Sequence, residues 1–454
     1  MWQWLSGYDQ KLKEQPTLHK ALYELLENAI SNGLLHAGDK LPPHRKLASK
    51  LGIAVATVTK VYRQAERQGL INAKVGRGSF VTSVPVLPQA IRAKGYQHIN
   101  LSIIKPQVSI TEPYLSNHLA ELSHQTGLAD LMDYPPEGGS LTDQQTAIEW
   151  LSHAGVVIEN KAISICHGAQ HGLMLLYNAV TQYGDCIAVE NHCYPGIISL
   201  ANQLSRQLIG IEMDQEGMVP EALEIACQHH KIKMLIVVAS HQNPTTSIMS
   251  KQRRKNIAEI VKKYDIWLVD DDVYGFLSPH LPPISNYAPQ QSFYLTSLSK
   301  SILPGLRVGY LVSPPSFKRR IEAEIRNSIW MPSSLTLALT TKLIYSGDAI
   351  KIQKAQSELA EQRQKMAYRI LQNCEFSAHK NSYHLWLKLP NGWSSEQFSE
   401  KLKQYGVLVA SADYFCVKEL ISLAAIRVSL MAAKSNEELD YALKRIAKLY
   451  TQKR

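Results

Sequence analysis

Seven short apolar runs recur between residues 162 and 312: Ala162–Cys166, Cys186–Glu190, Leu208–Met213, Met234–Ala239, Ile266–Asp270, Phe293–Thr296 and Val308–Val312. Helical patterns separate several of them, such as Gln170–Val180, Pro220–Cys227 and Lys251–Lys263. Buried runs that alternate with amphipathic helices specify an α/β domain with a mainly parallel sheet, because each helix supplies the crossover between parallel strands. Ligands of such sheets bind beyond the strand ends. Residues that directly follow a run are therefore the first candidates for chemistry.

The first eighty residues follow a different pattern. Leu18, Leu22, Leu25, Leu26, Ala29 and Ile30 keep helical spacing. After the break at Leu41-Pro42-Pro43, a second short helix is expected over Arg45–Leu51. A third is expected over Thr57–Gln68, with Val58, Val61, Tyr62 and Ala65 on one face. Two strands then flank the glycine-rich Val75-Gly76-Arg77-Gly78. Three helices and a hairpin make a winged helix-turn-helix, whose third helix enters the major groove. Pro85 and Pro88 punctuate a stretch of weak periodicity, so the expected division is a head at 1–84, a linker at 85–98 and a body at 99–454.

A chain of 454 residues exceeds one ordinary core, in keeping with that division. Residues 1–84 carry 12 Lys and Arg against 6 Asp and Glu, so the head holds +6 of the net +10. That balance suits contact with nucleic acid or a plain solvated surface, and charge does not choose between them. Six cysteines lie without paired spacing, which fits reduced thiols in a cytoplasm. No apolar run is long enough to cross a bilayer, and the N-terminus lacks a signal pattern. A cytoplasmic protein without membrane contact is expected.

Several strand ends carry reactive groups. Lys300 follows a strand run, sits beside Ser297, Ser299 and Ser301, and has Arg307 seven positions on. Hydroxyls and a guanidinium offer bonds to a dianion, while the lysine offers an amine to a carbonyl. Ser297-x-x-Lys300 also matches the serine nucleophile of penicillin-binding proteins, but no downstream Lys-Thr-Gly or Lys-Ser-Gly occurs. In Asp270-Asp271-Asp272-Val273-Tyr274 a carboxylate at a strand end could face a protonated pyridine, bind a metal or belong to a charged loop. His167-Gly168-Ala169-Gln170 fits a phosphate-binding helix start or an ordinary tight turn. Tyr194 could stack on a flat ring. Asn243-Pro244 marks a turn. Arg427, inside the apolar run Ile426–Ser429, needs an anionic partner such as a carboxylate.

Taken in order, Gly168-Ala169-Gln170, Tyr194, Asn243-Pro244, Asp271 with Tyr274, Ser297 with Ser299, Lys300, Arg307 and Arg427 resemble the signature of fold-type I aminotransferases. Leu41–Ala48, Thr57-Val58, Gln68-Gly69-Leu70 and Gly76–Val81 resemble the GntR-type winged helix. Their combination resembles the MocR family of bacterial transcriptional regulators. The resemblance spans the chain except the linker and the first dozen residues.

The resemblance implies pyridoxal 5'-phosphate as cofactor, held as an aldimine on Lys300. It implies that Asp271 faces the pyridine nitrogen, that Asn243 and Tyr274 bond the ring oxygen, and that Tyr194 stacks on the ring. Ser297, Ser299, Arg307 and the Ala169-Gln170 backbone would take the phosphate, together with Tyr134 from the second chain of a homodimer. Arg427 would take the carboxylate of an amino-acid or amine ligand. Arg45, Thr57, Thr59, Lys60 and Arg77 fall where GntR heads contact double-stranded DNA. The implied function is a DNA-binding regulator that senses the cofactor or an amine through the aldimine. The alternative is a working aminotransferase that carries a DNA-binding head. Three positions depart from the pattern: Asn243-Pro244-Thr245 continues with Thr246 in place of glycine, Asp143-Gln144 replace Leu-Arg, and Ala54-Val55 replace Ser-Arg.

Overall fold

The computed structural model describes residues 3–5, 17–31, 34–35, 38–67, 70–74, 78–81, 98–134, 136, 138–417 and 423–452. It falls into two compact units that divide after Pro88. The hairpin tip with Arg77, the Gln68-Gly69 pair and nearly all of the expected linker lie outside the described residues.

In the first unit, α1 (Leu18–Ser31), α2 (His44–Leu51) and α3 (Val55–Arg67) precede an antiparallel hairpin of β1 (Ile71–Lys74) and β2 (Gly78–Val81). Leu22, Leu26, Leu47, Val58, Val61 and Ala65 are fully buried and form its centre. Gly52 ends α2 in a left-handed conformation (φ 65°), and its N–H reaches Ala48 and Ser49. A glycine fits this cap because a side chain there would strain the backbone. The Tyr62 hydroxyl donates to the Pro42 carbonyl at 2.9 Å, which ties the helix-breaking Pro42-Pro43 pair to α3. Lys40 bridges Phe80, so a third extended segment edges the wing. Trp4 and Leu5, within the dozen residues the resemblance leaves aside, are also buried in this core.

The second unit is built on a seven-stranded sheet. In chain order its strands are β3 (Ala162–Cys166), β4 (Cys186–Glu190), β5 (Gln207–Ile211), β6 (Ile232–Val237), β7 (Trp267–Asp271), β8 (Ser292–Ser297) and β9 (Gly309–Ser313). Across the sheet they run β3-β9-β8-β7-β6-β4-β5. Helices α4 (Leu141–His153), α5 (Ala169–Val180), α6 (Pro195–Gln203), α7 (Pro220–His229) and α8 (Lys251–Lys263) alternate with the strands as their crossover role requires. The exception is β9, antiparallel to both β8 and β3. Its reversal places the start of β9 at the edge where the other strands end. Cys166, Gly309 and Ser297 consequently stand in one row across three strands.

A short helix α9 (Leu298–Ser301) follows β8, and α10 (Asp348–Ile370) leads to a smaller antiparallel sheet. That sheet joins β10 (Phe376–Ser377), β11 (His384–Lys388), β12 (Ala410–Ser411) and β13 (Ala425–Ser429) in the order β10-β11-β13-β12. Arg427 sits mid-strand in β13, opposite Trp386 and Ala410. No described helix is long and apolar enough to cross a membrane.

Leu26→Ala should destabilise the first unit by about 2–5 kcal/mol through loss of buried area and the cavity it leaves. Urea unfolding should show an earlier transition of this unit and an unchanged transition of the second.

Candidate functional site

The sheet edge gathers groups that are far apart in sequence. Gly168, which starts α5, has φ 78°, and a Cβ there would lie 2.6 Å from the Arg307 guanidinium. Position 168 must therefore be glycine for two reasons, backbone conformation and space. Arg307 is itself left-handed (φ 53°) and donates to the His167 carbonyl at 3.0 Å and the Ser299 hydroxyl at 3.2 Å. The Ser297 hydroxyl caps α9 by accepting from the Ser299 N–H at 3.0 Å. The free N–H groups at the start of α5, with Arg307, Ser297 and Ser299, form a cup for an oxyanion.

Beside that cup, the Lys300 amine donates to the Ile104 carbonyl at 2.7 Å. Burial, followed by the Arg427 and Arg307 charges, lowers its pKa to about 8, and Asp271 partly offsets them. Burial together with Asp272 and Asp270 raises Asp271 to about 7, and Lys300 opposes the rise. Asp271 Oδ1 is buried without a hydrogen-bond partner. A carboxylate raised for want of a cation, with an orphaned acceptor, fits a protonated ring nitrogen. Tyr274 is buried, and its hydroxyl is raised above its ordinary pKa by burial. Tyr194 is half-buried and shifted in the same direction for the same reason.

Arg427 donates to Asn243 Oδ1 at 2.7 Å and to the Ser102 carbonyl, with its guanidinium 4.9 Å from the Phe415 ring centre. Its Nε is buried without a partner, and burial lowers its pKa to about 10. A buried guanidinium with an unsatisfied Nε suits a carboxylate. Asn243 is thus held by Arg427, and the segment before it is fastened by Gln242. The Gln242 amide donates to Glu190 at 3.2 Å and to the His192 carbonyl at 2.6 Å, while its oxygen accepts from Thr245 N–H at 2.9 Å. Thr246 replaces the customary glycine yet adopts φ 69°, closing the turn with a 2.7 Å bond to the Gln242 carbonyl. The turn survives at the cost of a β-branched residue in left-handed backbone, about 1–2 kcal/mol.

The structure therefore brings together Lys300, Asp271, Tyr274, Asn243, Tyr194, Ala169, Gln170, Ser297, Ser299 and Arg307 where the strands of the large sheet end, and Arg427 reaches them from the smaller sheet through Asn243. Tyr134 stands apart: it is 75% exposed and packs edge-on against exposed Trp330, ring centres 6.0 Å apart. Sequence patterns did not single out Ile104, Ser102, Gln242 or Glu190. The first two act through backbone carbonyls, which no side-chain pattern reveals. Gln242 directly precedes the Asn243-Pro244 pair, where being polar just after a buried strand is its only signal.

On the head, Arg45 and Lys60 are exposed on α2 and α3. Thr57 is half-buried. The Thr59 hydroxyl turns inward, donating to the Val55 carbonyl at 2.9 Å and meeting His44 Nδ1 at 3.1 Å. Ala54, Val55 and Ala56 are all exposed, so the start of α3 offers methyl groups where a Ser-Arg pair would offer polar donors. Such a surface suits the thymine methyl in the major groove.

Residues 118–446 match the family of aminotransferases of class I and II, and residues 18–81 match the bacterial regulatory proteins of the gntR family. The uncharacterized HTH-type transcriptional regulator YdeF of Bacillus subtilis is 33% identical, over 95% of this chain and 94% of its own length. The HTH-type pyridoxine biosynthesis transcriptional regulator PdxR of Corynebacterium glutamicum is 27% identical, over 70% of this chain and 71% of its own. The kynurenine aminotransferase of Pyrococcus horikoshii shares the fold, with a TM-score of 0.74 at 22% identity over 82% of this chain and 94% of that one.

A lysine that loses its proton near pH 8 is an amine nucleophile above that value and an ammonium below it. Reductive labelling of Lys300 with a small aldehyde, read by peptide mass, should rise through a midpoint near pH 8. An exposed lysine would show its midpoint near the ordinary value of about 10.4.

Proposed function

Because the chain belongs to the MocR-type regulators, which join a GntR head to a class I and II aminotransferase body, we propose that it senses pyridoxal 5'-phosphate at Lys300. Sensing would involve the cofactor alone or combined with an amino acid or amine, and the result would set how two heads hold DNA. The observation that carries this proposal is the buried pair of Lys300, lowered to about 8, and Asp271, raised to about 7 with an unpartnered oxygen. The name of the Corynebacterium relative ties that protein to pyridoxine biosynthesis, which supports the same direction.

The roles follow from chemistry. Lys300 supplies the amine that bonds the cofactor aldehyde, and Asp271 supplies the negative charge opposite its ring nitrogen. The cup of Arg307, Ser297, Ser299 and the α5 N–H groups takes the phosphate. Asn243 and Tyr274 would bond the ring oxygen, and Tyr194 would cover the ring. When bound, the pyridine ring withdraws electrons from the carbon beside the ligand nitrogen. Arg427 turns its free Nε to the ligand carboxylate. As an ammonium Lys300 would donate to the Ile104 carbonyl, and as a free amine it would accept a proton from the ligand α-carbon.

That last capacity supports a second function, transamination, since Lys300 is tuned near neutral pH and no partner of the half-reaction is absent. The head weighs toward regulation, because catalysis needs no winged helix. Tyr134 and Trp330, exposed together, fit a homodimer in which Tyr134 completes the phosphate site of the second chain.

Lys300→Ala should abolish both the visible absorbance of the cofactor-treated protein and the response of DNA binding to added amino acids. Saturable binding to its own upstream DNA should persist in the unmodified protein, and its absence would overturn the proposal. Lys60→Ala should weaken binding across sequences and reduce the logarithmic salt slope by about 1. Val55→Arg should move preference at one base from thymine toward guanine in a binding-site selection.

A further inference from the structure

A second cavity opens on the far side of the strand ends that carry Asp271 and Lys300. It encloses about 580 Å³ between the end of α4, the segment after β7, the end of β8, α10 and the turn at 380–381. Of the groups gathered at the Lys300 site only Ser297 lines it; Lys300, Asp271, Asn243, Tyr194, Arg307 and Arg427 do not. Its walls include the rings of Trp150, Phe276 and Tyr294, so a flat apolar body would have surfaces to pack against.

The charges around this cavity are uneven. His153, His280, Lys354 and Lys380 line it from four different parts of the chain. His153 pairs with Glu149 at 3.2 Å, whereas Lys354 and Lys380 form no salt bridge among the described residues. The single acid in the lining, Asp272, is 5% exposed and lies within the field of the buried Arg254. Its Oδ2 accepts from the Tyr294 hydroxyl at 3.1 Å, and its Oδ1 has no hydrogen-bond partner. An unmet acceptor in the wall calls for a donor, and two exposed ammonium groups without a salt bridge give the mouth a positive charge that an anion complements.

We infer that this cavity is a separate effector site for a planar aromatic molecule that carries an oxyanion and an N–H or O–H donor. The anion would lie between Lys354 and Lys380, the ring against Trp150 and Phe276, and the donor toward Asp272. Asp272 adjoins Asp271 in sequence, and Ser297 and Ser301 flank Lys300 on α9, so an occupant would touch the wall shared with the Lys300 site. The site is independent of whether the chain regulates transcription.

The probe is 8-anilinonaphthalene-1-sulfonate, which combines aromatic rings, an N–H and a sulfonate. The full chain, first saturated with pyridoxal 5'-phosphate, should bind one probe per chain, read by fluorescence. The double change Lys354→Glu and Lys380→Glu should weaken binding at least about tenfold, equivalent to roughly 1.4 kcal/mol. The pair Lys354→Arg and Lys380→Arg should retain it, and Arg427→Ala should leave it unchanged. Phenyl phosphate and benzoate added as competitors distinguish a phosphate ligand from a carboxylate. Equal binding to the charge-reversed protein, loss of binding in Arg427→Ala, or displacement by neither competitor would overturn the inference.

Discussion

The contact between Arg307 and Gly168 organises the candidate site. It exists because β9 runs against its neighbours, so the residues before it arrive at the same edge that the parallel strands leave. A Cβ on Gly309 would come within 2.9 Å of the Gly168 backbone, so the approach of β9 to β3 also demands a glycine on the second strand. Two close backbones leave room for one guanidinium, and that guanidinium, with Ser297 and Ser299, fixes where an oxyanion settles. Lys300 lies one turn farther along α9 from the same cup. Its position relative to the Arg307 guanidinium is therefore tied to the row Cys166–Gly309–Ser297.

Charge burial is the second constraint. Asp270, Asp271 and Asp272 are consecutive and buried at the end of β7. Asp270 accepts from the Ser285 N–H at 3.0 Å and Asp272 accepts from Tyr294, which gives the outer two local partners. Arg254, fully buried, donates to the Met249 and Ala239 carbonyls and the Ser240 hydroxyl, and its charge opposes the rise that burial imposes on both outer acids. Each of the three keeps a buried Oδ1 without a hydrogen-bond partner, and Asp271 is the one that lies in the field of Lys300. Burial thus raises all three acids and leaves each incompletely satisfied, a condition that persists in folded proteins where a function uses it.

Much of this arrangement was legible in the chain. Strand runs set the β3–β9 ladder to within a residue or two, and Lys251–Lys263 matched its helix at both ends. Lys300, Asp271 and Arg427 stood out because a lysine, an acid and an arginine at strand ends or mid-strand are costly unless used. The head was equally readable, since its apolar spacing and its Pro-Pro and Gly breaks act locally. The pattern was less informative where a residue's partner is remote. Thr59 sits where heads contact DNA, yet its hydroxyl is spent on Val55 and His44. Trp4 and Leu5 carried no periodic signal but fill the head's core. Nothing in the sequence pattern marks Arg254 and Arg363 as buried, yet both are, Arg363 donating to the Leu430 and Ala433 carbonyls.

The sequence by itself determined the two kinds of domain, the glycine that must start α5, and the identities of the lysine, acid and arginines at the strand ends. Those features depend on local backbone preference and on hydrophobic period, both properties of neighbouring residues. Tertiary structure alone decided that Lys300 rests on the Ile104 carbonyl, that its proton is held loosely, and that Asp271 lacks a partner. It also decided that Lys354 and Lys380 face one cavity with Asp272. Protonation and pairing depend on burial and on charges brought close from distant parts of the chain, and only the fold sets those distances.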